Sequence, residues 1–382
     1  LACGVGVGAW YASRGPDLER YAARIVSECK TVTEDRDKCY EQLVPALYPQ
    51  LDVAELFEVV RIVRTYDTSY QFCHVLAHKI GELVVAEDPE RWIDAIPLNP
   101  ASGTCSNGFI HGVVGGRFRS EVLDSKTVEA FLPDFKRACE PRDGWHPSDL
   151  DRAICYHGIG HLYDFITDAD LHRALDLCER TTTKQFHRVC VEGVFMQIYQ
   201  PLEPDDFLLI ERMNEKPTIQ TYRRFCASFK DPEYVGACLR EAWPLLPGMD
   251  DGTGMTKYCT GHPSPDLEDY CYRGAFTIIG RMLQGKPDEQ ARACDRAPDS
   301  RRNMCYFVVA NAVIEENRND ADKAISFCER APDAHACLEQ LNDAAAFNFG
   351  YNAGQFDRFC RALPNDMQPN CGIKSSGQRR FP

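Results

Sequence analysis

Two stretches near the end of the chain, Cys294-Asp-Arg-Ala-Pro-Asp-Ser-Arg-Arg-Asn-Met-Cys305 and Cys328-Glu-Arg-Ala-Pro-Asp-Ala-His-Ala-Cys337, repeat one pattern. In each, a cysteine closes an amphipathic segment, an Ala-Pro-Asp turn follows, and a second cysteine opens the next segment. Two periodic apolar segments joined by a turn that contains proline are typical of a helical hairpin. The sequence therefore predicts, in each copy, two helices that a disulfide can join.

The remaining cysteines follow the same order. Apart from Cys3, the 19 cysteines fall into consecutive pairs, and from Cys139 onward the first member recurs every 32 to 48 residues, settling near 34. A repeat of that length holds two helices and a turn. The cysteines concerned are Cys29/Cys39, Cys73/Cys105, Cys139/Cys155, Cys178/Cys190, Cys226/Cys238, Cys259/Cys271, Cys294/Cys305, Cys328/Cys337 and Cys360/Cys371.

Disulfides are the favoured state of these cysteines. No C-x-x-C motif occurs, which argues against zinc ribbons, thioredoxin-type redox pairs and c-type haem attachment. So many cysteines without such a motif indicate an oxidising compartment. Only Cys73 and Cys105 are far apart, and they either bridge each other or remain thiols beside nearby histidines.

In its period, helix pairing and cysteine placement the chain resembles the tetratricopeptide-like helical-repeat superfamily, especially its secreted cysteine-rich members. The resemblance covers about residues 18–372. It implies a disulfide between the two helices of each repeat and a concave face that often binds other proteins. We therefore expect an all-α fold, a right-handed α-α superhelix (solenoid) of about nine disulfide-stapled hairpins.

Composition and the chain ends add expectations about location. The formal charge of −14 repels phosphate backbones, so nucleic acid is not an expected partner. Residues 1–15 begin with an uncharged apolar stretch, which we interpret as a membrane-anchor or signal remnant, with a frayed apolar terminus as the alternative. Residues 16–372 form the expected repeat domain and residues 373–382 a flexible tail. These features predict a protein anchored by its N-terminus on the periplasmic or extracellular face of a membrane.

Histidines mark one part of this array, at about residues 69–200. Several helices that open with the second cysteine share a C-x-x-G motif, and the second and sixth residues after the cysteine lie on one helical face. Glycine in the motif allows close helix packing, so side chains of adjacent helices can converge. The candidate metal ligands are His74, His78, His111, His157, His161, Glu192 and Met196.

We expect His111, His157 and His161 to form the primary ligand set. In this interpretation His74 and His78 complete that set or build a second site. The metal is Cu, Zn or Fe, and a haem between paired imidazoles is also compatible with the pattern. The alternative is that the histidines are hydrogen-bonded packing residues and C-x-x-G is a packing signature of the repeat.

The chain carries no recognisable catalytic motif. Neither H-E-x-x-H nor G-x-S-x-G occurs, so whether it is an enzyme is left open. We expect a scaffold that binds partner proteins, for example within a membrane complex, and that holds a transition metal or haem in the histidine groove. The alternative is a metal-dependent redox enzyme, or a protein of metal storage or delivery, that uses the same histidines.

Overall fold

The computed structural model describes residues 16–118, 122–350 and 354–371. Within these ranges the chain forms helices and no β-strand, so the prediction of an all-α fold is confirmed. None of the helices in these ranges is long and apolar enough to cross a membrane. The predicted anchor at residues 1–15 and the predicted tail at residues 373–382 lie outside the described residues.

The α-helices of the described ranges are numbered in chain order. They are α1 (Leu18–Cys29), α2 (Arg36–Leu43), α3 (Val53–Tyr66), α4 (His74–Glu87), α5 (Trp92–Ala95), α6 (Gly108–Phe118), α7 (Ser125–Ala138), α8 (Asp149–Ile166), α9 (Leu171–Thr181), α10 (His187–Tyr199), α11 (Pro204–Glu211), α12 (Tyr222–Ala227), α13 (Pro232–Glu241), α14 (Met255–Cys259), α15 (Pro265–Met282), α16 (Pro287–Asp295), α17 (Asp299–Glu316), α18 (Ala321–Cys328), α19 (Ala334–Phe349) and α20 (Gly354–Ala362).

Polar side chains define several of the helix starts. At the N-terminus of α8, Ser148 accepts a hydrogen bond from the backbone N–H of Asp151, and the Asp151 carboxylate accepts one from the backbone N–H of Ser148. Asp52 and Glu55 form the same reciprocal cap on α3. Each cap satisfies backbone donors that the helix itself leaves without partners.

The chain divides into two compact units, and the first ends at Tyr70. In this unit α1 packs against α3 and is joined to α2 by the Cys29–Cys39 disulfide. The Tyr40 hydroxyl donates a buried hydrogen bond of 2.8 Å to Asp67. These contacts give the first unit its own buried core.

The second unit begins at Gln71 and contains the histidines. We call α4, α6, α8, α10, α13, α15, α17 and α19 its inner helices, because each packs against the next one in this order. These helices are buried on several faces. In α8, for example, the side chains of Tyr156, Ile159 and Tyr163 are almost completely buried. Helix α9, in contrast, buries one stripe that includes Leu171 and Leu175 and leaves its other face polar. The inner helices therefore carry the candidate site.

Disulfides join the cysteines of the described residues in the pairs that their order predicts, which confirms that expectation. The nine bridges are Cys29–Cys39, Cys73–Cys105, Cys139–Cys155, Cys178–Cys190, Cys226–Cys238, Cys259–Cys271, Cys294–Cys305, Cys328–Cys337 and Cys360–Cys371. Most connect the end of one helix to the body of the next, as Cys178 of α9 and Cys190 of α10 do.

The expectation that the second cysteine of a pair opens its helix is wrong. Cys155, Cys238 and Cys271 lie within the bodies of α8, α13 and α15. Each of these helices begins earlier, where a polar side chain accepts a hydrogen bond from the backbone N–H of a residue in the first turn. The residues that cap the three helices in this way are Ser148, Asp231 and Ser264. The cap and not the cysteine therefore sets the start of the helix.

The last pair also departs from the expected hairpin of two α-helices. Cys360 belongs to α20, but Cys371 follows a short 3₁₀ helix, Gln368–Asn370. The Cys360–Cys371 disulfide therefore joins α20 to a turn, and within the described residues this pair staples only one α-helix.

The Cys73–Cys105 bridge differs from the other eight in its span. It joins the residue before α4 to the loop before α6 across 32 positions. The alternative of two free thiols beside the histidines is therefore wrong. Neither cysteine is a thiolate that could bind a metal.

The second unit has contacts that would not occur in a simple array, in which each repeat touches only its neighbours. Helix α19 packs against α8. The buried Arg318 guanidinium donates hydrogen bonds to Asp151, to Ser148 and to the carbonyl of Asn348, and its backbone N–H donates to the carbonyl of Ser102. The later inner helices thus return to the beginning of the histidine region.

Candidate metal centre

Glycines of the C-x-x-G motif set the distance between the inner helices. A Cβ atom at Gly108 would lie 2.5 Å from the carbonyl oxygen of His74, and one at Gly193 would lie 2.1 Å from that of His157. At Gly158 it would lie 2.6 Å from Cδ2 of the His111 ring. Only a residue without a side chain fits at these three points. The expected role of the motif in close helix packing is therefore present in the structure.

This close packing brings five imidazole rings into one continuous cluster. The ring centroids of His74 lie 4.6 Å from His78 and 5.1 Å from His111. His111 in turn lies 5.8 Å from His157 and 5.5 Å from His161. Three inner helices, α4, α6 and α8, supply these rings. The five histidines that the sequence pattern selects therefore form one connected cluster, in which His111 links the two rings of α4 to the two rings of α8.

Within the cluster, one group has the arrangement of metal ligands. One ring nitrogen each from His74, His78 and His111 lies within 4.8 Å of the other two. The three residues are each 8–9% exposed, which places them among the buried polar groups. We call them the three-histidine group. It differs from the expected primary set, since it contains both histidines of α4 and only His111 from that set.

Hydrogen bonds to backbone carbonyls fix the tautomers of three rings. Nδ1 of His74 lies 3.1 Å from the carbonyl oxygen of Cys105, and Nε2 of His111 lies 3.1 Å from that of Ile154. A carbonyl accepts only, so these nitrogens carry the proton. The same reasoning applies to Nδ1 of His157, 3.1 Å from the carbonyl of Val189. The other nitrogen of each neutral ring is therefore unprotonated and able to bind a cation.

The remaining two histidines contact side chains at the start of α11 and in the last turn of α10. Nδ1 of His78 lies 3.2 Å from the Glu203 carboxylate, while Nε2 of His78 is buried and has no hydrogen-bond partner. Nδ1 of His161 lies 2.8 Å from Oε1 of Gln197, whose own amide donates to Asp206. Because Oε1 of Gln197 can only accept a hydrogen bond, Nδ1 is the nitrogen of His161 that carries the proton. An imidazole with one N–H held by a carboxylate or carbonyl is the usual form of a metal-binding histidine.

Burial keeps three rings of the cluster neutral. Desolvation is the main reason that the pKa values of His74, His111 and His157 lie well below the usual range. Repulsion from neighbouring imidazoles, such as His78 beside His74 and His161 beside His157, lowers these pKa values further. Neutral imidazole is the form that binds a transition metal.

The two outer candidates have different surroundings. The Glu192 carboxylate lies 3.3 Å from Nε of Arg188 and 3.7 Å from Nε of Arg240, so it is engaged by arginines. The sulfur of Met196 lies 3.2 Å from Nε2 of His157. Met196 therefore contacts the histidine cluster, whereas the carboxylate of Glu192 faces the two guanidinium groups.

Sequence reasoning did not select Glu203, Gln197 or Asp206. The hydrogen bond between His78 and Glu203 joins residues 125 positions apart in the chain. The one between His161 and Gln197 joins residues 36 positions apart. The local signal is the helix start at Glu203-Pro204-Asp205-Asp206, in which Glu203 and Asp206 form a capping box. That signal predicts a helix start but says nothing about a histidine partner.

A cavity of about 120 Å³, which we call the central cavity, adjoins the cluster. Its wall includes His157, Met196, Arg240, Glu241 and Arg281. Burial raises the pKa of Glu241 to about 7, against the opposing effect of Arg240. Charged and apolar side chains both line the space, which is large enough for a few water molecules or a small ligand.

Comparison with known proteins gives no relative for this arrangement. No family model matches the chain, and no curated protein or solved structure is significantly similar to it. The assignment of the site therefore depends on the geometry and chemistry of the residues themselves.

Proposed function

We propose that this protein binds a transition-metal ion through His74, His78 and His111. The observation that carries the proposal is the unpartnered Nε2 of His78, buried beside two other imidazoles whose ring nitrogens lie within 4.8 Å. A buried polar atom without a partner is rare and destabilising in a folded protein. A metal ion bound by the three rings would satisfy it.

The spacing of the three nitrogens fits this role after a small movement. Ligands at roughly 2.0–2.1 Å from a tetrahedral ion lie about 3.3 Å apart, so nitrogens that are up to 4.8 Å apart must approach by up to about 1.5 Å in the metal-bound form. Small rotations of the imidazoles supply this movement. The acceptors behind the rings, Cys105 for His74 and Glu203 for His78, fix which nitrogen faces the ion.

An ion fits the site better than haem does. The central cavity measures about 120 Å³, whereas pockets for drug-sized ligands measure roughly 300–1,000 Å³, and a haem is no smaller than those ligands. The imidazoles also contact one another directly, with centroids 4.6 Å apart for His74 and His78. Three neutral nitrogen ligands suit Zn²⁺ or copper.

The setting of the proposed function is an oxidising compartment. Nine disulfides within the described residues support a location outside the cytoplasm, and we propose the periplasmic or extracellular face of a membrane. Anchoring by residues 1–15 is part of the proposal and depends on the apolar sequence there. The sequential packing of the inner helices supports tetratricopeptide-like repeats, whose right-handed course we also propose, and the contact of α19 with α8 returns this array to its beginning.

Metal analysis tests the function directly. Protein purified without chelator or affinity metal is assayed for Zn, Cu and Fe, and the metal-free form is titrated with Co²⁺, whose visible absorption reports a tetrahedral site. We expect about one equivalent in the native protein and a loss of at least about tenfold in affinity for His78→Ala. His335→Ala is the matched control, because His335 is 63% exposed and lies on α19.

Two results would contradict this function. One is a native protein that is free of metal and takes up none of the three metals or Co²⁺. The other is equal Co²⁺ affinity in the native protein and in His78→Ala. Either result would make the three histidines packing residues.

A partner-binding scaffold is the second candidate function. The observation that favours it is a group of exposed apolar side chains at the start of α11, Leu202, Phe207 and Leu208, which are 41–54% exposed. Apolar groups in such a patch are often protein contacts. Cross-linking in the native cell envelope, with Phe207→Ser plus Leu208→Ser as the variant, tests it. Unchanged cross-linked species would argue against a partner at this surface.

A further inference from the structure

Met196 and His157 form a pair that hydrogen bonding does not explain. Nε2 of His157 lies 3.2 Å from the sulfur of Met196, and Nδ1 of the same ring donates its proton to the carbonyl of Val189. Nε2 of the neutral ring is therefore unprotonated, and a thioether sulfur has no proton to donate. Two lone pairs face each other across this contact.

We propose that His157 and Met196 bind Cu(I) at the wall of the central cavity. This site is separate from the three-histidine group and does not depend on metal binding there. Ordinary bond lengths of roughly 2.0 Å to nitrogen and 2.3 Å to sulfur place an ion between ligands 3.2 Å apart at an angle of about 95°. That angle lies within the range of a distorted tetrahedral or trigonal site. The pair therefore fits one ion without a change of backbone.

The ligand types select a soft metal. A thioether binds soft ions such as Cu(I) and has little affinity for hard divalent ions. Glu192 lies one helical turn before Met196, and its carboxylate is paired with Arg188 and Arg240. The pair therefore offers sulfur and imidazole, while the nearest acidic side chain on the same helix is engaged elsewhere.

The charges around the pair are balanced. The guanidinium groups of Arg281 and Arg240 act on its imidazole. Each guanidinium is paired with carboxylates that line the same cavity, Glu315 for Arg281 and both Glu192 and Glu241 for Arg240. The preference for Cu(I) therefore depends on the thioether ligand and not on the surrounding charge.

Further ligands are within reach of such an ion. His161 is the next imidazole, with its ring centroid 4.8 Å from that of His157. The central cavity lies on the other side, and both His157 and Met196 form part of its wall. A third position can thus be filled by His161 or by a small molecule that enters the cavity.

The competing interpretation is packing, since methionine sulfur often contacts aromatic rings without any metal. Anaerobic titration with Cu(I) against a chromogenic copper chelator separates the two. The protein is preloaded with Zn²⁺, and ascorbate rather than a thiol serves as reductant, so that the disulfides remain intact. We expect one equivalent of Cu(I) in the native protein and an affinity lower by at least about tenfold in Met196→Leu.

Leucine and methionine have similar volumes, so this variant should keep the fold, which circular dichroism verifies. Met282→Leu is the matched control, because Met282 is 54% exposed at the end of α15. X-ray absorption of the copper-loaded protein should show a sulfur neighbour that Met196→Leu lacks. His157→Gln provides a second variant with the same expected loss.

The outcomes are distinguishable from those of the proposed function. Loss of Cu(I) affinity in Met196→Leu with unchanged Co²⁺ binding supports the copper site alone. Equal Cu(I) affinity in the native protein, Met196→Leu and His157→Gln, or a copper spectrum without sulfur, would overturn it. His78→Ala is expected to leave the Cu(I) affinity of the His157–Met196 pair unchanged.

Discussion

Asp164 offers a sharp test of the interior of the second unit. This residue lies in α8, is 0% exposed, and neither of its carboxylate oxygens has a hydrogen-bond partner. Burial alone raises the pKa of its carboxyl group well above the usual value of 3.8. The folded protein therefore holds this group in its neutral, protonated form, whereas the unfolded chain releases the proton above about pH 4.

The size of the effect follows from this difference. The folded state loses about 1.36 kcal/mol of stability for each pH unit between 3.8 and the folded pKa of this carboxyl, which is at most about 4 kcal/mol at pH 7. Since the folded state binds the additional proton, the stability of the native protein falls as the pH rises from about 4 to the folded pKa. Asp164→Asn removes the titration and keeps nearly the same shape. We expect the variant to be more stable by up to about 4 kcal/mol at pH 7 and nearly equal to the native protein at pH 4.

Urea unfolding followed by circular dichroism at several pH values, with the disulfides intact, measures this difference. Effects of other titrating groups cancel when the variant is compared with the native protein at each pH. Asp176→Asn is the control, because Asp176 is 64% exposed on α9. A stability difference that is absent or independent of pH would refute the argument that Asp164 is buried and neutral.

Three further predictions concern other parts of the second unit. Arg318→Met should lower the free energy of unfolding by about 3–5 kcal/mol, because it removes the only guanidinium that pairs with the Asp151 carboxylate in the described structure, 2.6 Å away. A urea midpoint that corresponds to a loss of less than about 1 kcal/mol would contradict that role. The hydrogen bond from His187 to Glu233 raises the pKa of the imidazole above its usual 6.5, so its stabilising effect is complete below that value and is lost as the pH rises through the folded pKa. The stability difference between the native protein and His187→Gln should therefore shrink as the pH rises above 6.5, and a constant difference would refute it. Gly158→Ala places a methyl group 2.6 Å from the His111 ring, so Co²⁺ affinity should fall by about tenfold, and unchanged affinity would show that the ring position does not matter.

Much of the local structure could be predicted from the sequence. The spacing of Cys294 and Cys305 around an Ala-Pro-Asp turn predicts two helices and their disulfide, because hairpins are formed by residues close in the chain. The glycine of each C-x-x-G motif likewise predicts close packing of neighbouring helices, and Gly158 meets the His111 ring as that packing requires. Periodicity also selected the five histidines, since it identifies residues that share one helical face.

Helix boundaries were predicted less well than disulfide pairs. The cysteine pattern placed helix starts at Cys155, Cys238 and Cys271, whereas the structure begins those helices upstream, after capping side chains. A second helix was expected at Cys371, where the structure has a 3₁₀ turn. Pairing needs two sulfurs at a suitable distance, but a helix start depends on which side chain satisfies the first backbone N–H groups.

The composition of the proposed metal site was also less predictable. The sequence interpretation favoured His111, His157 and His161, but the nitrogens that converge belong to His74, His78 and His111. Helical spacing gives the face on which a side chain lies and not its rotation or its partner. The hydrogen bonds that orient the rings decide the grouping, and each acceptor comes from another helix or from a loop.

The sequence by itself determined the helical hairpins, the order of the disulfides and the face that carries the histidines, because all three depend on neighbours along the chain. Only the tertiary structure decided that Glu203 of the α11 start faces His78, that Arg318 reaches Asp151 across 167 positions, and that Met196 faces His157. These contacts depend on the angles and distances between packed helices, and no local pattern of residues encodes them.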